Sequence, residues 1–505
     1  MFTVRRAWTV LCVSAICAGA SSAAAQAAAK LTLSPATITP GTPVKASGSG
    51  YAANEVVDVT IDGGSVAAQT AVANTKGGFS TNLPLPSSIR PGPHQVTGVG
   101  RSSAAGAGAT LTITTPWTQD GFNGAHTADN PFENQITQDT VGRLSAAWIG
   151  APDGSSGASS PVVAGGRVFF LTSKGLYAYK AACGTNAAPC TPLWHADLAS
   201  NGALQAPVVL GSTVFARPSS SDSKLYAFKT NCGTGGATCS PTWTAPAAGD
   251  LVMAADASHL YLTTGSTLEA FKATCGASTC TPVWSATLDT FSTSGPSVVN
   301  GVVYAGSEGG TLYAFSDKAC TAGTCTPLWT AKSATTALDT DLVVANGRIF
   351  SSGEAFGTTC SASPCAPQWS NGLVPDLFTG EAAYGDHLYV GSTALVAQSQ
   401  TCPTSGSCPV QTIWPYTATP PTAAANVLYT SHPPIGAVHA PAAIVAYAPD
   451  CGSSCTPLWQ ASPTGDSSEL FDSSPVVSDG TLYATTNEGR LYAYTLNGQA
   501  AGTTP

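Results

Sequence analysis

From about residue 160 the chain is written in short apolar runs separated by glycine turns, and the same order of runs keeps returning. The clearest copy reads Ser160-Pro161-Val162-Val163, Gly166-Arg167-Val168-Phe169, Leu176-Tyr177-Ala178-Tyr179, Cys183, Cys190 and Pro192-Leu193-Trp194. Runs this short, rich in Val, Phe and Tyr and bounded by turn residues, predict β-strands. No stretch after residue 30 carries the period of an amphipathic helix. The third run of each unit holds an alanine in fixed register, at Ala178, Ala227, Ala270, Ala314, Ala355, Ala397, Ala446 and Ala493, so the interval stays in the forties of residues. That is the length of one four-stranded β-propeller blade.

Tryptophan gives an independent count. Trp194, Trp243, Trp284, Trp329, Trp369, Trp414 and Trp459 each close a unit, while the eighth unit ends at Leu491-Tyr492-Ala493-Tyr494 without one. Trp148, in Leu144-Ser145-Ala146-Ala147-Trp148-Ile149, stands before the first unit without a partner. Its strand is expected to complete the last blade and shut the ring, which removes exposed sheet edges. One Trp per blade at a fixed place points to packing between blades rather than to ligand stacking. The third strands Glu354-Ala355-Phe356 and Leu395-Val396-Ala397 are irregular, which leaves the completeness of the fifth and sixth blades open.

Residues 31–115 read differently. Alternating segments such as Val56-Val57-Asp58-Val59-Thr60-Ile61 and Gln95-Val96-Thr97-Gly98-Val99 sit between Pro, Gly and Asn turns, the spacing of a sandwich of about seven strands. The expected fold class is therefore all-β: an eight-bladed β-propeller over 117–497, preceded by a small immunoglobulin-like β-sandwich over 31–115. Arg5 and Arg6, the apolar run Ala7 to Ala18 and Ala23-Ala24-Ala25 before Gln26 predict a signal peptide over 1–25, and 498–505 read as a flexible tail.

Only 9% of residues are charged, with Gly, Ala, Ser, Thr and Pro in their place, which suits strands and turns. The chain carries 19 Lys+Arg against 28 Asp+Glu, and loss of Arg5 and Arg6 with the leader takes the formal charge from −9 to −11. An acidic chain without a basic cluster is a poor match for nucleic acid or anionic lipid. Of 16 Cys, Cys12 and Cys17 fall in the leader, and the other fourteen form an even set in an exported chain, where disulfides are the default.

The units resemble pyrroloquinoline-quinone-like (PQQ-like) propeller repeats, in which a Tyr-Ala-x strand leads through a Thr-Gly turn to a docking Trp. The run-in Trp117-Thr118-Gln119-Asp120-Gly121, Asn130-Pro131 and Val141-Gly142-Arg143-Leu144 is similar to that family as well. The departure is at the Thr-Gly turn, which seven units replace with a cysteine pair. These are Cys183 with Cys190, Cys232 with Cys239, Cys275 with Cys280, Cys320 with Cys325, Cys360 with Cys365, Cys402 with Cys408 and Cys451 with Cys455. Each pair flanks a hairpin and so faces itself at disulfide distance, whereas zinc would need two pairs to converge. Upstream, Pro40-Gly41-Thr42-Pro43-Val44, Gly48-Ser49-Gly50-Tyr51 and Pro91-Gly92-Pro93-His94 resemble bacterial immunoglobulin-like (TIG-like) modules.

The resemblance raises a quinone cofactor with calcium. Quinoprotein dehydrogenases of this family carry a vicinal Cys-Cys, and none occurs here; their metal ligands have no assignable counterparts. No Gly-x-Ser-x-Gly, His-Glu-x-x-His or phosphate loop appears either. His432 and His439 share one Pro-rich segment, and Asp339-Thr340-Asp341 is the first place to look for calcium. The strand connections place Asp197, Asp289, Glu308, Asp341, Glu381, Glu469, Asp472 and Glu488 on one face, together with Asp153, Asp222, Asp250, Asp339, Asp376 and Asp466. The expectation is a secreted, monomeric, non-catalytic scaffold with no catalytic residue, cofactor or metal, binding a protein or glycan at the cell envelope. The alternative is an enzyme, either a quinoprotein oxidoreductase or a carbohydrate-active propeller.

Overall fold

The computed structural model describes residues 28–499 except 65–67, 87, 153, 199, 201–203, 220–222, 249–251, 293, 321–322, 335–336, 339, 362, 371–377, 393, 403–409, 415–418, 433–441, 453–454 and 465–467. The expected leader 1–25 lies outside the described residues. No described helix is long and apolar enough to cross a membrane.

The chain divides into two compact units. The first comprises Met1–Ala36, Pro43–Leu85 and His94–Leu111. It holds the three-stranded antiparallel sheet of Lys30–Ser34, Val44–Ser49 and Phe79–Leu83, and a second sheet that includes Val56–Ile61, Gln69–Val72, Gly92–Gly100 and Gly106–Ile113. Alternation puts Val44, Ala46, Val57, Val59 and Val96 inside at 0% exposure and their neighbours outside. Tyr51 joins the sheets, packing on Phe79 and donating its hydroxyl to the Gly98 carbonyl at 3.1 Å.

The second unit contains eight sheets, each built around four antiparallel strands in sequence order. This is the propeller the repeat predicted. The first blade runs Val162–Ala164, Arg167–Thr172, Gly175–Lys180 and Trp194–Asp197, from the innermost strand outward. The irregular fifth and sixth units are full sheets, with third strands at Glu354–Gly357 and Leu395–Ser399. Ring closure follows the tryptophan count: Leu144–Gly150 pairs antiparallel with Leu491–Leu496, Trp148 opposite Ala493.

The tryptophans are the joints between blades. Trp194 sits between Phe169 of its own blade and Phe228 of the next, with ring centroids 5.9 and 6.0 Å away. Trp148 repeats this at the closure, between Tyr483 and Tyr179. Its indole N–H donates to the Ala181 carbonyl at 2.9 Å, and Trp194, Trp243, Trp369 and Trp459 reach carbonyls of the following blade in the same way. Trp284 donates to Asp317 Oδ1 instead. An amphipathic ring with one donor is suited to a joint that is apolar on its faces and polar at its rim.

Six of the expected cysteine pairs are bonded: Cys183 with Cys190, Cys232 with Cys239, Cys275 with Cys280, Cys320 with Cys325, Cys360 with Cys365, and Cys451 with Cys455. Their Cα separations run from 5.1 to 6.2 Å, the reach of a disulfide across a hairpin. Cys402 is disulfide-bonded too, and its expected partner Cys408 lies outside the described residues. Several of these sulfurs are part of the packing between blades as well. Cys239, Cys280 and Cys325 are buried and belong to the clusters around Trp194, Trp243 and Trp284, while Cys455 is half-buried against the cluster around Tyr447.

The hairpins these bonds close have a second use. Ala188–Cys190 pairs in parallel with the outer edge of the closing strand, Trp148 opposite Ala188. Ala237–Thr238 and Gly323–Thr324 do the same for the first and third blades, and single bridges link Thr244 to Thr279 and Ala331 to Cys365. A disulfide hairpin thus covers the outer edge of the preceding blade, the edge that would otherwise be free to pair with another chain.

Candidate functional site: the closed end of the channel

Propeller blades surround an axial channel, and here a single segment spans it. Trp117 pairs with Val163 of the first blade, Thr118 O accepts from Val209 N of the second, and Gln119 bonds the Ala255 backbone of the third. Gly124 O then accepts from Val298 N, Ala125 O from Val344 N, Thr127 O from Ala383 N and Ala128 O from Ala423 N. Asn130 finishes the circuit by donating its side-chain amide to Val477 O at 2.8 Å. The stretch 117–130 therefore bonds to all eight innermost strands in order, as a collar. The bonded residues lie where each innermost strand leaves for its first hairpin, so the collar closes the channel on the disulfide side.

Local sequence explains the collar's path. Asp120-Gly121 and Asn123-Gly124 are turn dipeptides. Gly121 has φ +61°, and a Cβ there would lie 2.7 Å from His126 Cα. A Cβ on Gly124 would lie 2.6 Å from Val298 Cγ1 and 2.8 Å from Ala255 O, so only glycine fits between those two blades. His126 anchors the second half: Nδ1 faces Asp120 O at 2.9 Å and Nε2 faces Pro296 O at 3.0 Å.

Between the collar and the starts of the innermost strands lies a cavity of about 60 Å3, lined by Asp120, His126, Ser160, Asp341, Glu381, Thr422 and Ser474 with Trp117, Pro420 and Val476. Glu381 is 8% exposed, and its Oε2 has no hydrogen-bond partner among the described residues. Burial alone pushes its carboxyl up to about 7. Asp120 is pushed up to about 6, first by burial and then by the nearby Asp341 carboxylate, against the pull of His126. Thr422, 2% exposed, also has an unpartnered Oγ1. Asp341 accepts from Gly295 N at 2.9 Å.

The structure redistributes the acidic residues expected on one face. Asp341 and Glu381 meet at the channel floor, together with Asp120 of the collar. Glu469 is buried under Arg490, Tyr492 and Thr486. Asp153, Asp222, Asp250, Asp339, Asp376 and Asp466 lie outside the described residues. The calcium suggestion at Asp339-Thr340-Asp341 loses its middle member, because Thr340 is tied into hydrogen bonds with Ser351 and Ser352. His432 belongs to the strand Val427–His432 rather than to a loop, and contacts the Tyr447 hydroxyl at 3.2 Å; His439 lies outside the described residues. Sequence reasoning passed over Asp120 and Asp129. Asp129 has a buried Oδ1 without a partner among the described residues and is pushed up to about 7 by burial. The signal available for both was their place beside turn dipeptides in a run-in with no repeat of its own.

The second unit is a β-propeller whose channel is closed at one end by the collar. No family model and no curated protein matches the chain. Among solved structures, quinohemoprotein alcohol dehydrogenase ADHIIG from Pseudomonas putida HK5 superposes at TM-score 0.51 and 12% identity, over 77% of this chain and 81% of that one. The computationally designed Ika8 protein gives 0.50 and 9% over 69% and 99%, and a europium-containing methanol dehydrogenase gives 0.48 and 11% over 76% and 98%. At these identities the likeness establishes the fold. It also corrects two expectations. The reading of the chain as a non-enzyme, and as one without a cofactor, does not stand, because the fold it shares is that of a dehydrogenase named for its quinone. Those expectations rested on a missing Cys-Cys pair, on metal ligands without assignable counterparts and on the absence of other catalytic motifs.

Proposed function

We propose that the chain is an oxidoreductase of the quinoprotein type, with Glu381 at the closed end of its channel as a proton acceptor. One observation carries this: Glu381 is buried, held near neutrality and unpartnered at one oxygen, in a cavity on the axis. A base poised near neutral pH is what removal of a proton from an O–H or N–H group requires. The class comes from the fold neighbour, whose named activity is alcohol dehydrogenation.

The floor itself does not fit the quinone or its ion. A cavity of about 60 Å3 falls well short of the roughly 300 Å3 at which small-molecule pockets begin. Among the described residues no three His, Cys, Asp or Glu side chains gather to hold a metal. The chain's own residues divide as follows. Glu381 takes the proton, the Thr422 hydroxyl stands beside it, Asp120 is a second acid–base group, and His126 fixes the collar that carries it.

A second reading rests on that pair of raised carboxyls. Asp120 and Glu381 are two carboxyls in one cavity, and glycoside cleavage uses such a pair as acid and base; a glycan-hydrolysis screen tests this reading. The quinoprotein reading is tested by adding pyrroloquinoline quinone and calcium to purified protein, then following dye-linked oxidation of small alcohols and amines. Dye reduction that needs both quinone and substrate supports it. No change in quinone absorbance and no turnover overturns it. Export to an oxidising compartment is part of the proposal and agrees with the disulfides.

A further inference from the structure

The floor cavity has a one-sided chemistry. Its ionisable lining is three carboxyl groups, Asp120, Asp341 and Glu381, and one imidazole, His126, and both nitrogens of that ring are turned to carbonyl oxygens. The remaining polar lining is hydroxyl: Ser160, Thr422 and Ser474. Two buried atoms in this lining, Glu381 Oε2 and Thr422 Oγ1, have no partner among the described residues. An ionised Glu381 only accepts hydrogen bonds and a hydroxyl can accept them, so a donor satisfies both atoms at once. An ammonium brings three N–H donors, no acceptor and a positive charge, and it relieves the repulsion among neighbouring carboxylates.

We infer that the floor binds the headgroup of a short primary alkylammonium, with N–H groups donating to Glu381 Oε2 and Thr422 Oγ1. A cavity of about 60 Å3 has room for a few waters, enough for the ammonium and one or two carbons. A bare metal ion is a poorer occupant, because no three of the potential ligands among the described residues come together around one point. Trp117, Pro420 and Val476 supply the apolar wall against which the carbons rest.

The inference rests on the same cavity as the proposed function but concerns binding alone, so it is measured without quinone or turnover. Isothermal titration of the full chain with methylammonium, ethylammonium, n-butylammonium, tetramethylammonium, potassium, calcium and methanol separates the cases. Methylammonium and ethylammonium are expected to bind at least tenfold more tightly than the other five. Glu381→Gln is expected to weaken them at least tenfold. Thr422→Val, which keeps the shape and removes the hydroxyl, is expected to weaken them several-fold, each variant being checked for unchanged near-ultraviolet circular dichroism. The inference is overturned if methanol binds as well as methylammonium, if potassium or calcium displaces it at equal concentration, or if both variants bind like the parent. Butylammonium binding as tightly as methylammonium would overturn the size limit and point to a lysine side chain as the occupant. If methylammonium binds but no amine or alcohol is oxidised, the binding inference stands and the oxidoreductase reading falls.

Discussion

At the scale of single residues, the account turns on carboxyl groups withdrawn from water. Glu381 and Asp129 are pushed up to about 7, and Asp120 to about 6, each first by burial. Their folded values exceed the unfolded ones, so the neutral forms favour the fold. That contribution is whole below about pH 4, where the unfolded groups titrate, and is lost as pH rises through about 6 and about 7. Urea unfolding at pH 5 and pH 8 should therefore show a less stable protein at pH 8. Glu381→Gln, which cannot ionise, should lose less stability over the same interval. Equal slopes in parent and variant would show that Glu381 is not held in its neutral form.

At the scale of elements, the collar and the disulfide hairpins are the two devices that make a closed ring out of repeated meanders. The collar's hold is nearly all backbone, but at the third blade a side chain takes over. Gln119 both donates to Ala255 O at 3.0 Å and accepts from Ala255 N at 2.6 Å, at 4% exposure. Gln119→Ala strands two buried backbone groups and should cost about 2–4 kcal/mol in urea unfolding. Amide exchange at Ala255 should quicken more than that at Val163, which keeps its bond to Trp117. The hairpin between Cys183 and Cys190 is the clasp on the closing strand: Ala187 N donates to Ala146 O, and Asn186 N donates to Gly498 O. Replacing both cysteines with serine opens a short loop and should cost about 2 kcal/mol. The loss should appear first as faster exchange along Leu144–Gly150, because that edge is what the hairpin covers.

At the scale of the whole molecule, most of the propeller could be read in advance because the repeat states its own register. Ala178 through Ala493 mark the third strands, and the unpaired Trp148 marks the strand that closes the ring. Trp148 is 1% exposed and packed between two blades, so Trp148→Ala should cost about 3–5 kcal/mol and lower the melting temperature of the propeller as a unit. The collar was not legible for a physical reason. Six of its eight blade contacts run from backbone to backbone and ask for no particular side chain, and apart from Gln119 and Asn130 only the glycines at 121 and 124 betray the close approaches. Glu381 was legible as an acidic residue but not as a buried one, because in sequence it is one of several acids attached to strand ends. The difference between a solvated carboxylate and a base held near neutrality is made by Thr422, Pro420 and the collar, which are distant in sequence and meet only on the axis.

The most direct test of the central claim is the initial rate of dye-linked oxidation by quinone-reconstituted protein, compared between the parent chain and Glu381→Gln at equal fold and equal quinone loading. The account predicts that the variant loses about 10²–10⁴-fold in turnover while it still melts cooperatively. A variant that turns over as fast as its parent would show that the chemistry does not take place at the closed end of the channel.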